Sequence, residues 1–173
     1  MRDYQDMVFT SALRLVGNEA DAEDIAQDVF LKAYMHFDQL RHSFTVGGWL
    51  KTVTRNLSLN HLTRYRARWR FFSECDDHGE SGEHHDFAAN LPAPDLPTQA
   101  VDTADRRNLL ESALQKLPPA QRVPLVLYHF ENLSYEEIAA KLRISLGKVK
   151  TDIHRGRVAL RQRLVRNPES ATA

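Results

Sequence analysis

LSYEEIAAKLRISLGKVKTDIHRGRVALRQRL, residues 133–164, decides how the chain is read. Ser134 stands where a helix N-cap belongs, and Glu137 follows at the spacing of a capping box, in which each side chain answers the other residue's backbone N–H. Leu133 and Ile138 bracket that cap at the spacing of a hydrophobic staple. Ser145 repeats the cap, with Ile144 and Val149 as its staple. Two capped helices separated only by Arg143-Ile144 predict a helix-turn-helix. The second helix divides into faces. Val149, Ile153, Leu160 and Leu164 share one stripe with Gly156, while Lys150, Thr151, His154, Arg155 and Arg161 lie on or near the other. From Lys141 to Arg166 the bases are Lys141, Arg143, Lys148, Lys150, Arg155, Arg157, Arg161, Arg163 and Arg166, and the only acid is Asp152. Such a helix suits the DNA major groove, with bases read near its N-terminal end and phosphates neutralised around it. A solvated basic helix in an ordinary bundle would share the charge but has no need of tandem caps and a short turn.

Upstream, NLLESALQKL ends at Pro118-Pro119, and AQRVPLVLYHF follows with Pro124 inside it, where a kink is expected. Residues 73–105, SECDDHGESGEHHDFAANLPAPDLPTQAVDTAD, carry many acids, no Lys or Arg and no periodicity, the composition of a linker. Cys75, His78, His84 and His85 are of zinc-ligand type. Adjacent His84 and His85 rarely both reach one ion, and no metal or other cofactor is assigned.

In the N-terminal half, Val8, Ala12, Leu15 and Val16 fit a short first helix that Gly17-Asn18 ends. Ala22, Ile25, Ala26, Val29, Ala33 and Phe37 form the core stripe of a second, EADAEDIAQDVFLKAYMHF. A third runs from near Trp49 through Leu50, Val53, Leu57 and His61 to about Arg70. On the second, Asp21, Asp24 and Asp28 share a side with Leu31 and Met35, bordered by Gln27. That mixture suits docking to a basic partner, or Leu31 and Met35 are simply buried; periodicity leaves both open. From Gln39 to Phe72 there is no acid. Arg41, Lys51, Arg55, Arg64, Arg66, Arg68 and Arg70 alternate there with Phe44, Trp49, Tyr65, Trp69, Phe71 and Phe72. Bases interleaved with aromatics suit single-stranded nucleic acid, although a core role fits Phe44 and Trp49, and for Trp49 it is the better fit.

The 173 residues suit two small helical domains. Their 23 basic and 23 acidic residues balance in number but not in placement. A single cysteine excludes an internal disulfide framework. The early charges of the N-terminus do not fit a secretory signal, and no apolar run approaches the ~20 residues that span a bilayer, so a cytoplasmic protein without a membrane span is expected. His36, His42 and His129 are scattered, and neither a phosphate loop nor a nucleophile motif is present, so no enzyme is expected. The expected fold is all-α, two small helical domains joined by an acidic flexible linker, the C-terminal one a helix-turn-helix.

DAEDIAQDVFLKAY (21–34), GGWLKTVTRNLSLNHLTR (47–64) and residues 133–164 together resemble the extracytoplasmic-function group of bacterial sigma factors. The likeness covers nearly all of the chain outside the acidic stretch. It implies core RNA polymerase and promoter DNA as partners, and an anti-sigma factor as a further one. It implies that Asp24, Gln27, Asp28 and Leu31 dock on the polymerase, and that Phe44, Trp49, Arg55, Asn56, Asn60 and Arg64 recognise and melt the −10 element, with Asn56 near the pocket for a flipped base. It implies a −35 reader made of Lys148, Lys150, Thr151, His154, Arg155 and Arg157. The matching divisions are 1–72, a region 2-like domain; 73–105, an acidic linker; 106–167, a region 4-like domain; and 168–173, a disordered tail. From its charge alone, the acidic linker is expected to mimic nucleic acid and thread the polymerase's basic channel. Members commonly carry one more helix before the first one here, and often a base where this chain has Asp152. The competing expectation is a stand-alone helix-turn-helix repressor or activator, normally a dimer on a palindromic site. No heptad-bearing dimerisation helix is evident, and the acidic helix would then lack a role.

Overall fold

Gly17 ends the first helix in the left-handed conformation (φ 72°), its N–H donating to Leu13 O at 2.7 Å. Asn18 then caps the next helix, its side chain accepting from Ala20 N–H at 2.9 Å. A helix α1, Gln5–Val16, thus turns directly into α2, Glu19–Met35. The computed structural model describes residues 4–41, 45–73 and 103–166, with side chains for 4–41, 45–64 and 106–165. Phe44, His42, Cys75, His78, His84, His85, the acidic stretch 74–102 and residues 167–173 lie outside the described residues, as do the side chains of Tyr65, Arg66, Arg68, Trp69, Arg70, Phe71 and Phe72. Every element among the described residues is a helix, with no strand.

His36 interrupts α2 one residue short of the expected stripe, and a single turn, α3 (Phe37–Leu40), follows. Phe37 is therefore not core: it lies beyond the break and is 51% exposed. Helix α4 spans Val46–Ser73, starting three residues before Trp49. Its fully inward positions are Leu50, Thr54 and Ser58, with Val53 and Leu57 only partly covered. A hydroxyl can sit there because the helix itself supplies an acceptor: Thr54 Oγ1 donates to Leu50 O at 2.8 Å. Val8, Ala12, Val16, Ala22, Ile25, Val29, Ala33 and Leu50 close one core among α1, α2 and α4.

The C-terminal half contains α5 (Thr103–Gln115), α6 (Pro119–His129), α7 (Tyr135–Leu142) and α8 (Leu146–Arg166). Helix α5 begins three residues before the Arg106 at which periodicity resumes. Pro119 opens α6, where its missing N–H costs nothing. The helix runs on through buried Pro124, which has no N–H to offer the carbonyl of Ala120 one turn back, an exposed residue. Both halves of the capping box form, Ser134 N–H to Glu137 Oε2 at 2.8 Å and Glu137 N–H to Ser134 Oγ at 3.2 Å. The staple partners Leu133 and Ile138 are buried in one cluster. Arg143 makes the turn at φ 54°, a left-handed conformation that costs a non-glycine residue ~1 kcal/mol. Lys148 N–H donates to Ser145 Oγ at 3.2 Å, the second expected cap. Gly156 lies where α8 meets α6; a Cβ on it would stand 3.1 Å from Gln121 O.

The two helical domains pack against each other. Leu15 of α1 is fully buried in the C-terminal core with Leu114, Leu125, Leu127, Ile138 and Ile153, and Leu59 and Leu62 of α4 pack against it. The spacing of residues 5–16 gave no sign that one of their leucines belongs to the other half.

Candidate nucleic-acid interface

Helix α8 buries Val149, Asp152, Ile153 and Gly156 and turns the opposite side to solvent. At ~100° per residue, Thr151, His154 and Arg161 lie along the middle of the open face, Lys150 and Arg157 flank one side, and Lys148 and Arg155 the other. All seven are exposed. Thr151 Oγ1 donates back to Gly147 O at 3.0 Å, which orients its methyl and hydroxyl. Asp152 sits beneath the face at 6% exposure and holds Lys148 Nζ at 3.5 Å. It therefore restrains one base and does not confront DNA. Arg157 leans on its own domain: its Nε donates to His129 Nε2 at 3.1 Å, and its guanidinium lies 5.4 Å from the Tyr128 ring centre. That ring stacks on Tyr135, 4.8 Å between centres, tying α8 to the cap of α7. Burial, and then the Arg157 charge, lower the His129 pKa, which suits the neutral acceptor seen.

On α4, Asn56, Asn60 and Arg64 are exposed along one side. Trp49 is partly buried against the N-terminal core and meets His36 edge-on, 5.9 Å between ring centres, so much of it is structural. Arg55 departs most from expectation. It faces Glu131 of the other half, Nη1 to Oε2 at 3.6 Å, with side chains only 16% and 7% exposed. Burial raises the Glu131 pKa, against the opposing pull of Arg55, Lys51 and Arg14.

On α2, Asp24, Gln27, Asp28 and Leu31 are all exposed on the side opposite Ile25 and Val29. Leu31 is 62% exposed and Met35 81%, which settles the choice between burial and an open face. Asp21 leaves the acidic row to meet His61 Nε2 at 3.4 Å. Tyr34, 75% exposed, joins the patch and was missed; its place one turn from Leu31 was the available signal.

Exposed acids and apolar groups on one helix, amides on a second and a capped basic helix on a third are brought together in one all-helical chain. Residues 1–68 match the family described as Sigma-70 region 2, and residues 107–160 match Sigma-70, region 4. The chain is 36% identical to the ECF RNA polymerase sigma factor SigE of Mycolicibacterium smegmatis over 96% of its own length and 61% of that protein's. It is 32% identical to the ECF sigma factor SigW of Bacillus subtilis, over 93% of this chain and 84% of the other. Its fold is similar to that of the sigma factor RpoE of Bartonella quintana, solved in complex with the anti-sigma factor NepR (TM-score 0.50, 25% identity, 96% and 94% coverage). The chain belongs to the extracytoplasmic-function sigma factors. Its function class is therefore promoter recognition for RNA polymerase.

Proposed function

We propose that the three open helix faces divide the work of initiation. Asp24, Gln27, Asp28 and Leu31 of α2, extended by Tyr34 and Met35, dock on core polymerase. Asn56, Asn60 and Arg64 of α4, with Arg55 once it is freed, Trp49 at the head of the helix, and Phe44, hold the melted −10 strand. Lys148, Lys150, Thr151, His154, Arg155 and Arg157 of α8 read the −35 element. The observation that carries this reading is that each face is exposed on a helix whose opposite side is core, so contacts can form without unfolding. The divisions at 1–72, 73–105, 106–167 and 168–173 describe the same arrangement. The chain performs no catalysis of its own; it directs binding energy into unstacking bases, which costs a few kcal/mol. It works in the cytoplasm, where the polymerase is. No described helix is long and apolar enough to cross a membrane. An anti-sigma factor is a fitting further partner, since the RpoE neighbour was solved with one. A stand-alone repressor would leave the acidic and apolar face of α2 without a role.

Reconstitution with core polymerase and promoter DNA tests the division. Asn56→Ala should reduce open-complex formation about tenfold, as expected for ~1.4 kcal/mol, with polymerase binding kept. Asp24→Ala with Asp28→Ala should do the reverse, and Lys150→Ala with Arg155→Ala should weaken upstream duplex contacts. Loss of the same step by all three would refute the division.

A further inference from the structure

His129, the last residue of α6, accepts a hydrogen bond at Nε2 from Arg157 Nε of α8, at 3.1 Å. Two more groups shape this seat. Tyr128 places its ring 5.4 Å from the Arg157 guanidinium and meets His129 edge-on, 4.9 Å between ring centres. Tyr135, the first residue of α7, stacks on Tyr128 at 4.8 Å. Burial and then Tyr128 raise the pKa of its phenol, and Arg157 opposes them, so the guanidinium reaches this ring as well. Residues of two other helices thus converge on a side chain that is itself exposed.

The acceptor is uncharged. Among the described residues no carboxylate pairs with Arg157, and an imidazole nitrogen accepts only while it carries no proton. Lys148, on the other flank of α8, gives the contrast, because Asp152 holds it at 3.5 Å with an opposing charge. A carboxylate restrains a base and offsets its charge. A neutral imidazole restrains it and leaves the charge whole. Nε is committed to the seat, and the N–H bonds of both terminal nitrogens remain for an oxyanion.

Placement indicates which oxyanion. Arg157 lies on a flank of the open face, about three turns into α8. A helix in the major groove meets base edges near its N-terminal end, and its flanks run beside the sugar-phosphate strands. A free arginine gives up much of its rotamer freedom when it grips a phosphate, and one already seated gives up less.

We propose that His129 is a positioning residue for DNA binding: its neutral imidazole seats Arg157 to grip a backbone phosphate of the duplex, and a proton on that imidazole breaks the seat. The phosphate contact rests on the function proposed above; the seat does not. A protonated ring has no lone pair to offer and sets a second positive charge beside Arg157 Nε, so the guanidinium swings away. The groups facing the imidazole are Tyr128 of α6, Tyr135 of α7 behind it, and Arg157 of α8. The next charged groups are engaged elsewhere, Arg14 of α1 over the Phe130 ring and Glu131 on Arg55. Burial and the Arg157 charge keep the imidazole neutral down to below the ordinary histidine value of ~6.5, so the seat is formed at neutral pH and lost in mild acid.

The test uses the full chain assembled with core polymerase, and reads its dissociation constant for a promoter fragment from about pH 8 to about pH 5.5. The ratio of the constant for Arg157→Ala to that for the parent isolates the contribution of this side chain. It should be about fivefold at the alkaline end and shrink toward unity as pH falls below ~6.5. In a His129→Gln background, whose amide oxygen accepts the same bond and takes up no proton, the ratio should stay near its alkaline value throughout. In a His129→Leu background it should be near unity throughout. Other histidines, His154 among them, act on both members of each ratio. Circular dichroism checks the helix content of each variant. The NMR signal of Arg157 Nε–H in the free chain reports the seat without DNA: it should be protected from exchange in the parent and His129→Gln at the alkaline end, and unprotected in His129→Leu. A ratio in the parent that ignores pH, or one that survives His129→Leu unchanged, overturns the positioning role. If Lys150→Ala with Arg155→Ala weakens promoter binding and Arg157→Ala does not, the role of His129 falls and the assignment of α8 stands. If neither weakens binding while the Nε–H signal still follows His129, the assignment of α8 falls, the phosphate contact falls with it, and the seat alone stands.

Discussion

The helix-turn-helix and the seam between the halves are held by different means. In the first, each device joins near neighbours in sequence: Ser134 with Glu137, Ser145 with Lys148, Leu133 with Ile138. In the second, partners are far apart in the chain, as Arg14 with Glu111 and Arg122 with Val16 are, and charged groups dominate. Local devices form whenever the helix forms. Distant ones compete with water and with the entropy of bringing two bodies together.

The contrast is broken most severely from inside the helix-turn-helix. Ile138→Ala removes a fully buried staple partner and should cost about 3 kcal/mol in denaturant unfolding, with loss of −35 binding. Arg122→Met should strike the seam instead, leaving carbonyls of α1 and α5 without donors. A cost of about 2 kcal/mol is expected, visible as faster hydrogen exchange at the ends of those helices while α7 and α8 stay protected. Ser134→Ala should cost about 1 kcal/mol, with the seam unchanged.

The smallest effects come from pH and have opposite signs in the two regions. The His129 pKa is lowered in the folded chain, so the unfolded chain takes up the proton first. Stability is full above the ordinary histidine value of ~6.5 and falls as pH drops through and below it. The Glu131 pKa is raised, so the folded chain keeps its proton longer. Stability from this group is present below the ordinary glutamate value of ~4.3 and is lost as pH rises through the raised one. Melting temperature followed against pH should flatten just below pH ~6.5 in His129→Gln and just above pH ~4.3 in Glu131→Gln. Identical profiles for parent and variants would remove both groups from the pH response.

The same distinction explains what could be read in the sequence. The caps, the short turn and the buried stripe of α8 were legible because each depends on residues within one or two turns of one another. The open face of α2 was half legible: its acids were plain, but whether Leu31 and Met35 were covered depended on packing that periodicity does not record. The pairing of Arg55 was not legible because Glu131 lies far along the chain, in a loop with no pattern of its own. Arg122 drew no reading from the sequence for the same reason: its partners at Leu15 and Val16 lie far along the chain. Nothing near it announces that α1 ends above it. Thr54 and Ser58 were passed over because a helix interior was sought among apolar residues alone.

Gly156 has a consequence for how binding preference can change. Because α8 rests almost directly on the main chain at Gln121, its height above α6 is set by backbone contact and not by an adjustable side chain. Under the proposed function, altered DNA sequence preference then arises by exchanging outward residues such as Lys150, His154 and Arg155. Repacking from below would tilt the whole rod and move every contact together. The reading helix is a fixed rail on which individual teeth can be replaced.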